Sequence, residues 1–148
     1  MAHQTETHPG TPDESGELPA WEAELVPDEH GRSRRPEADC PVEVALAAVA
    51  GRWTTLVLRE LMSGPHSYTG LRDRLPEISP KVLSDRLRTL EERGLLSRDR
   101  LPGFPVRTRY HLTPAGRSLR PLLIELYRTG TALRTHVPAA DQETVRPR

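Results

Sequence analysis

Between Cys40 and Val137 the apolar residues recur at helical spacing in five stretches, with one interval of strand-like alternation before the last. Val44, Ala45, Ala48 and Val49 predict a first helix that opens at Cys40-Pro41, where Pro41 takes the first helical position, and closes at Gly51. Trp53, Leu56, Val57, Leu61 and Met62 form the apolar side of a second helix over 53–62, broken by Ser63-Gly64-Pro65. A short third helix over 67–75 takes Ser67 as its N-cap. Pro76-Glu77-Ile78 makes the next turn. Ser79-Pro80 then starts a fourth helix that runs to Arg93, carries Val82, Leu83, Leu87 and Leu90 on its apolar side, and is stopped by Gly94. Strands over 95–100 and 106–112 follow, joined by Leu101-Pro102-Gly103-Phe104-Pro105. Thr113-Pro114 opens one last helix whose apolar positions are Leu119, Leu122, Leu123, Leu126, Leu133 and Val137.

The order predicts a mainly α domain with a small β-hairpin. A short helix, a tight turn and a longer helix have the dimensions of a helix-turn-helix, and the hairpin behind them makes it winged. A helix fits the major groove of DNA, and a hairpin reaches the flanking backbone or the minor groove. On the fourth helix the apolar set leaves Ser79, Lys81, Ser84, Asp85 and Arg88 facing outward near its start. Hydroxyls, a lysine and an arginine beside a helix N-terminus suit phosphates and base edges, while the acids Glu91 and Glu92 stand at the far end. The hairpin adds Arg98 and Arg100 on one strand and Arg107 and Arg109 on the other, and the pairing is expected to gather them into one guanidinium cluster. The leucine stripe of the last helix is long for packing on one small domain, which predicts that pairing with a second copy covers it.

Charge sharpens the division of the chain. Residues 1–39 hold ten acidic and three basic side chains, whereas residues 40–137 hold sixteen basic and nine acidic ones, although the whole chain is neutral. The first segment, rich in Pro, Gly, Glu and Asp, is predicted to be a disordered acidic extension. Within it Trp21, Leu25 and Val26 form a short apolar patch. Residues 40–137 are the expected domain, and 138–148 a flexible polar tail. A basic domain favours a polyanion through counterion release.

Several motifs in fixed order resemble the HxlR family of winged-helix regulators. They are Cys40-Pro41-Val42-Glu43, Gly51-Arg52-Trp53-Thr54, Leu58-Arg59-Glu60-Leu61, Ile78-Ser79-Pro80-Lys81-Val82-Leu83-Ser84, Leu87-Arg88-Thr89-Leu90-Glu91, Gly94-Leu95-Leu96 and the run Tyr110–Leu119. The resemblance covers about residues 40–137. It implies a homodimer that binds a double-stranded operator, an inverted repeat, and regulates nearby genes. It assigns Ser79, Lys81, Ser84, Asp85 and Arg88 to DNA reading, Arg98, Arg100, Arg107 and Arg109 to the wing, and Val44, Leu119, Leu122, Leu123, Leu126 and Leu133 to the dimer interface. Arg52 stands where the family often has Lys, and the acidic extension is longer than the family usually carries.

Cys40, the one cysteine, sits at a helix N-cap, where the macrodipole favours thiolate. Some members of the family it resembles use a cysteine in this context as a redox or electrophile sensor, and a half-buried structural role is the alternative. One cysteine also forbids an intrachain disulfide, and neither a signal peptide nor a membrane-length apolar run is visible. The expected location is the cytoplasm, with no membrane partner. The six histidines are scattered without metal-ligand spacing, and no Gly-rich phosphate loop exists, so neither an enzyme nor a metal or cofactor is expected. A winged helix used only for protein contacts, or a MarR- or PadR-like repressor answering a small-molecule effector, are the competing readings.

Overall fold

A computed structural model describes residues 37–136 together with Leu25. The acidic extension before Glu37, its Trp21-centred patch, Val137 and the tail from Pro138 lie outside the described residues. The chain divides into two units, residues 1–47 and 48–148.

In the first unit the backbone N–H of Cys40 donates to the Glu37 carbonyl, and the Cys40 carbonyl accepts the first helical bond from Val44. Helix α1 (Pro41–Val49) therefore begins with Pro41 at its first position, as the Cys-Pro pair predicts. Val42, Val44 and Leu46 are exposed, and Cys40 is buried.

The second unit holds the core. Helix α2 (Thr54–Met62) starts one residue later than its apolar spacing predicts, because Trp53 takes a left-handed conformation (φ 75°) ahead of it. The Thr54 hydroxyl, buried at the start of α2, donates to the Ala50 carbonyl at 2.9 Å and so keeps a hydrogen bond. Gly51, at φ +100°, turns the chain between the helices with the Arg86 guanidinium 3.1 Å from where a Cβ would stand. Strand β1 (His66–Ser67), helix α3 (Tyr68–Arg74), helix α4 (Pro80–Glu92), strands β2 (Leu96–Leu101) and β3 (Arg107–Leu112), and helices α5 (Pro114–Arg117) and α6 (Arg120–His136) complete the unit.

Two sequence expectations change here. The sheet has three strands in the order β1-β3-β2, all antiparallel, rather than two. The last helix is also two helices. Pro121 has no N–H for the Arg117 carbonyl, so a helix opened at Pro114 cannot run through it; Pro121 instead falls in the first turn of α6. Val57, Leu58, Leu71, Leu83 and Leu90 form the deepest part of the core, where α2, α3 and α4 meet the base of the sheet.

Candidate nucleic-acid interface

The helix pair is built by local rules. Ser67 caps α3 by accepting the Gly70 N–H at 3.0 Å, and buried Leu71 anchors that helix. The turn after it is held by the Leu75 N–H on the Leu71 carbonyl and the Ile78 N–H on the Leu75 carbonyl. Leu75 and Ile78 are both buried, so the turn is fixed from beneath. Ser79 caps α4 through the Val82 N–H at 3.2 Å, with Pro80 in the first turn. The Tyr68 hydroxyl donates to the Pro80 carbonyl at 3.2 Å and ties the start of α4 to α3.

With Leu83, Leu87 and Leu90 buried, helical geometry turns the other side of α4 outward. Lys81, Ser84 and Arg88 are exposed on this face; Asp85 is half-buried and pairs with Arg88 at 3.3 Å. The structure thus places Lys81, Ser84, Asp85 and Arg88 along one face of α4, from its first turn to its third, with Ser79 at the cap. Ser79 uses an oxygen lone pair in its cap, which leaves the hydroxyl hydrogen for an external acceptor. Pro80 has no N–H, and those of Val82 and Leu83 are taken by Ser79, so the Lys81 N–H and the macrodipole are what add positive potential there.

The wing departs from expectation. Arg98 lies opposite Tyr110, and Arg100 opposite Thr108, so even-numbered positions share one face of the hairpin. Asp99 lies opposite Arg109, and Leu101 opposite Arg107, so odd-numbered positions share the other. The four arginines therefore do not form one cluster: Arg98 and Arg100 stand on one face, Arg107 and Arg109 on the reverse. The register between strands, which neither strand alone encodes, decides this. Arg98 lies 3.8 Å from Glu91 of α4, an ion pair that joins wing and helix. On the reverse face the His111 ring lies 3.3 Å from Asp99. Arg107 and Arg109 line a cleft of about 580 Å³ with Ser67, Tyr68 and Thr69, so this face of the wing looks onto the start of α3.

Sequence reasoning missed three supports of the site. Arg86 donates to the Arg52 carbonyl at 2.9 Å and holds the loop before α2 against α4. Arg117 donates to the Leu112 carbonyl at 2.7 Å at the wing base. Glu60 of α2 accepts from Arg59 at 2.8 Å and from Arg74 of α3 at 3.2 Å. The Arg59 hydrogen bond, with the charges of both arginines, holds the Glu60 carboxyl below its ordinary 4.5 despite partial burial. None of the three has a signal in sequence, since each partner lies at a distance set by tertiary packing or is one of several nearby charges.

The residues expected at a dimer interface divide. Leu119 and Leu123 pack against their own core, and Leu122 is half-buried. Leu126 and Leu133 are exposed on α6, and Val44 is exposed on α1. Among the described residues no single helix is long and apolar enough to cross a membrane.

Known proteins share this arrangement. The HTH-type transcriptional regulator sll1512 of Synechocystis is 40% identical over 92 residues, which are 62% of this chain and 68% of that protein. The HTH-type transcriptional regulator YvaP of Bacillus subtilis is 38% identical over 93 residues, 62% of this chain and 86% of its own. Among solved structures, a MarR-family transcriptional regulator from Porphyromonas gingivalis superposes with a TM-score of 0.61 at 31% identity, over 67% of this chain and 97% of that one. The reduced form of the transcriptional regulator YodB from Bacillus subtilis superposes with a TM-score of 0.55 at 33% identity, over 60% and 88%. The oxidised redox regulator HypR does so with a TM-score of 0.58 at 29% identity, over 63% and 96%. The HxlR-like helix-turn-helix family matches residues 48–137, from the end of α1 through α6, and the chain belongs to that family.

Proposed function

We propose that the chain is a transcription regulator that binds a double-stranded operator as a homodimer, with α4 of each copy in the major groove. The outward face of α4 carries the reading: Lys81 and Ser84 near its start and Arg88 one turn further on stand exposed, over a core that fixes their direction. Ser79, Lys81, Ser84, Asp85 and Arg88 are the DNA-reading set. Arg100, Arg107 and Arg109 meet flanking phosphates, while Arg98 orients the wing through Glu91. Exposed Leu126 and Leu133 on α6 and Val44 on α1 supply apolar surface for a second copy. The expected location is the cytoplasm.

The test is anisotropy of a labelled mixed-sequence duplex as salt rises. Affinity should fall with a log–log slope of about −5 or steeper, for roughly six phosphates neutralised by a dimer. A flat response would favour a winged helix that serves protein contacts alone.

A second reading concerns Cys40. HypR is described as a redox regulator, and YodB has been solved both reduced and quinone-bound. By that likeness, oxidation or alkylation of Cys40 at the start of α1 changes operator affinity. Mass spectrometry after mild oxidant, with affinity measured in parallel, checks it. Full modification with unchanged affinity removes it.

A further inference from the structure

The tip of the wing carries the chain's one phenylalanine. Phe104 is fully exposed, at 102% of its reference area, and Val106 beside it is exposed too. A benzyl group held in water forgoes the gain it would have in the core, so packing within the domain does not account for its place. Residues 101–106 carry no charge. On either side of them stand exposed guanidinium groups, Arg100 on the even face of the hairpin and Arg107 on the odd face. The result is a blade: an apolar edge with one cation on each flank.

The shape selects its partner. A hairpin lying flat on a phosphate backbone would use Arg107 and Arg109 of one face and leave Arg100 on the other without a phosphate. A minor groove has phosphates along both walls, is about 6 Å wide, and draws arginine by its negative potential. Apolar side chains entering from that side unstack base steps and bend the duplex. An apolar pocket on a protein would desolvate both guanidinium groups without offering them anions.

We propose that Phe104 is a wedge. The wing tip enters the minor groove beside the α4 site, Phe104 presses into a base step, and Arg100 and Arg107 pair with phosphates of opposite strands. The proposal rests on the DNA-binding reading above and adds a contact residue and a local deformation to it. Specificity for an easily unstacked step, such as TA or CA, follows at a position that no side chain reads by hydrogen bonds.

The full chain is used to select duplexes from a random-sequence pool, and the tightest binder is prepared with 2-aminopurine at single adenines flanking the protected region. Wild type should raise the fluorescence severalfold at one step per half-site. Phe104→Ala should lose that signal and bind about tenfold more weakly. Phe104→Leu, which keeps an apolar wedge, should retain most of both. Phe104 is exposed, so thermal unfolding should be unchanged in either variant. Wild type that binds with a steep salt dependence while Phe104→Ala binds equally well and both leave the fluorescence flat refutes the wedge and leaves the DNA-binding reading standing. Wild type that binds no duplex in a salt-dependent way refutes that reading, and the wedge with it.

Discussion

Gly116→Ala should destabilise the domain, although alanine is the better helix former. Gly116 lies in the short helix α5, where propensity alone favours alanine by about 1 kcal/mol. A Cβ there would run into the Leu95 carbonyl oxygen and come within 3.1 Å of Leu112 Cδ2. The obstacle is backbone and is held on several sides. The Leu95 carbonyl accepts the Thr113 N–H at 3.1 Å, the Leu95 N–H donates to Leu90 at 3.0 Å, and the Thr113 hydroxyl donates to Gly94 at 2.6 Å. Relieving the overlap means pulling α5 off the base of the wing. Overpacking costs about 1–3 kcal/mol, and a broken backbone bond about 1 kcal/mol more. Set against the propensity gain, the net loss is about 2 kcal/mol, or a fall in Tm of roughly 10 °C. Urea denaturation followed by circular dichroism, at one fixed protein concentration, measures it. Ala115→Gly, at an exposed position of the same helix, should cost no more than about 1 kcal/mol. A Gly116→Ala protein as stable as wild type would refute the seating of α5 against Leu95.

Glu60 should shape the acid limb of stability. Its folded pKa is lowered by the Arg59 hydrogen bond and both arginine charges, so the stabilisation is present above pH 4.5 and is lost as pH falls through the folded value. Both arginines are more than half exposed, which limits the effect to about 1 kcal/mol. Glu60→Gln should be less stable at pH 7 and flatter between pH 5 and 3 in urea titrations, on the order of that amount. Arg88→Ala should weaken operator binding by roughly 1–3 kcal/mol and relax base preference at one position if the guanidinium reads a base, whereas an equal loss on every sequence marks a phosphate contact; binding to a panel of single-base operator variants separates the two. Leu126→Glu combined with Leu133→Glu should give a folded monomer by sedimentation, since both side chains are exposed in the single chain; an unchanged dimer would place the interface elsewhere.

The caps were legible because they are local. Ser67, Ser79 and Thr113 each stand next to the helix they start, and each accepts an N–H three residues on. The outward face of α4 was legible for the same reason, since the spacing of Leu83, Leu87 and Leu90 fixes it. What depends on pairing at a distance was not. Strand β1 is two residues long, and only its partners Tyr110 and Arg109 make it a strand. The two faces of the wing follow from a register in which Arg98 meets Tyr110, and a shift of one residue would have grouped the arginines differently. The break before α6 lies at Pro121, inside the leucine stripe whose spacing predicts one continuous helix.

The claim that two copies of α4 occupy adjacent major grooves is tested most directly by a hydroxyl-radical footprint on a duplex that the full chain selects. Two protected patches should lie about one helical turn apart, or a multiple of it, related by an inverted repeat, and Lys81→Ala with Arg88→Ala should abolish both together. A single patch, or protection that survives the double substitution, would contradict the account.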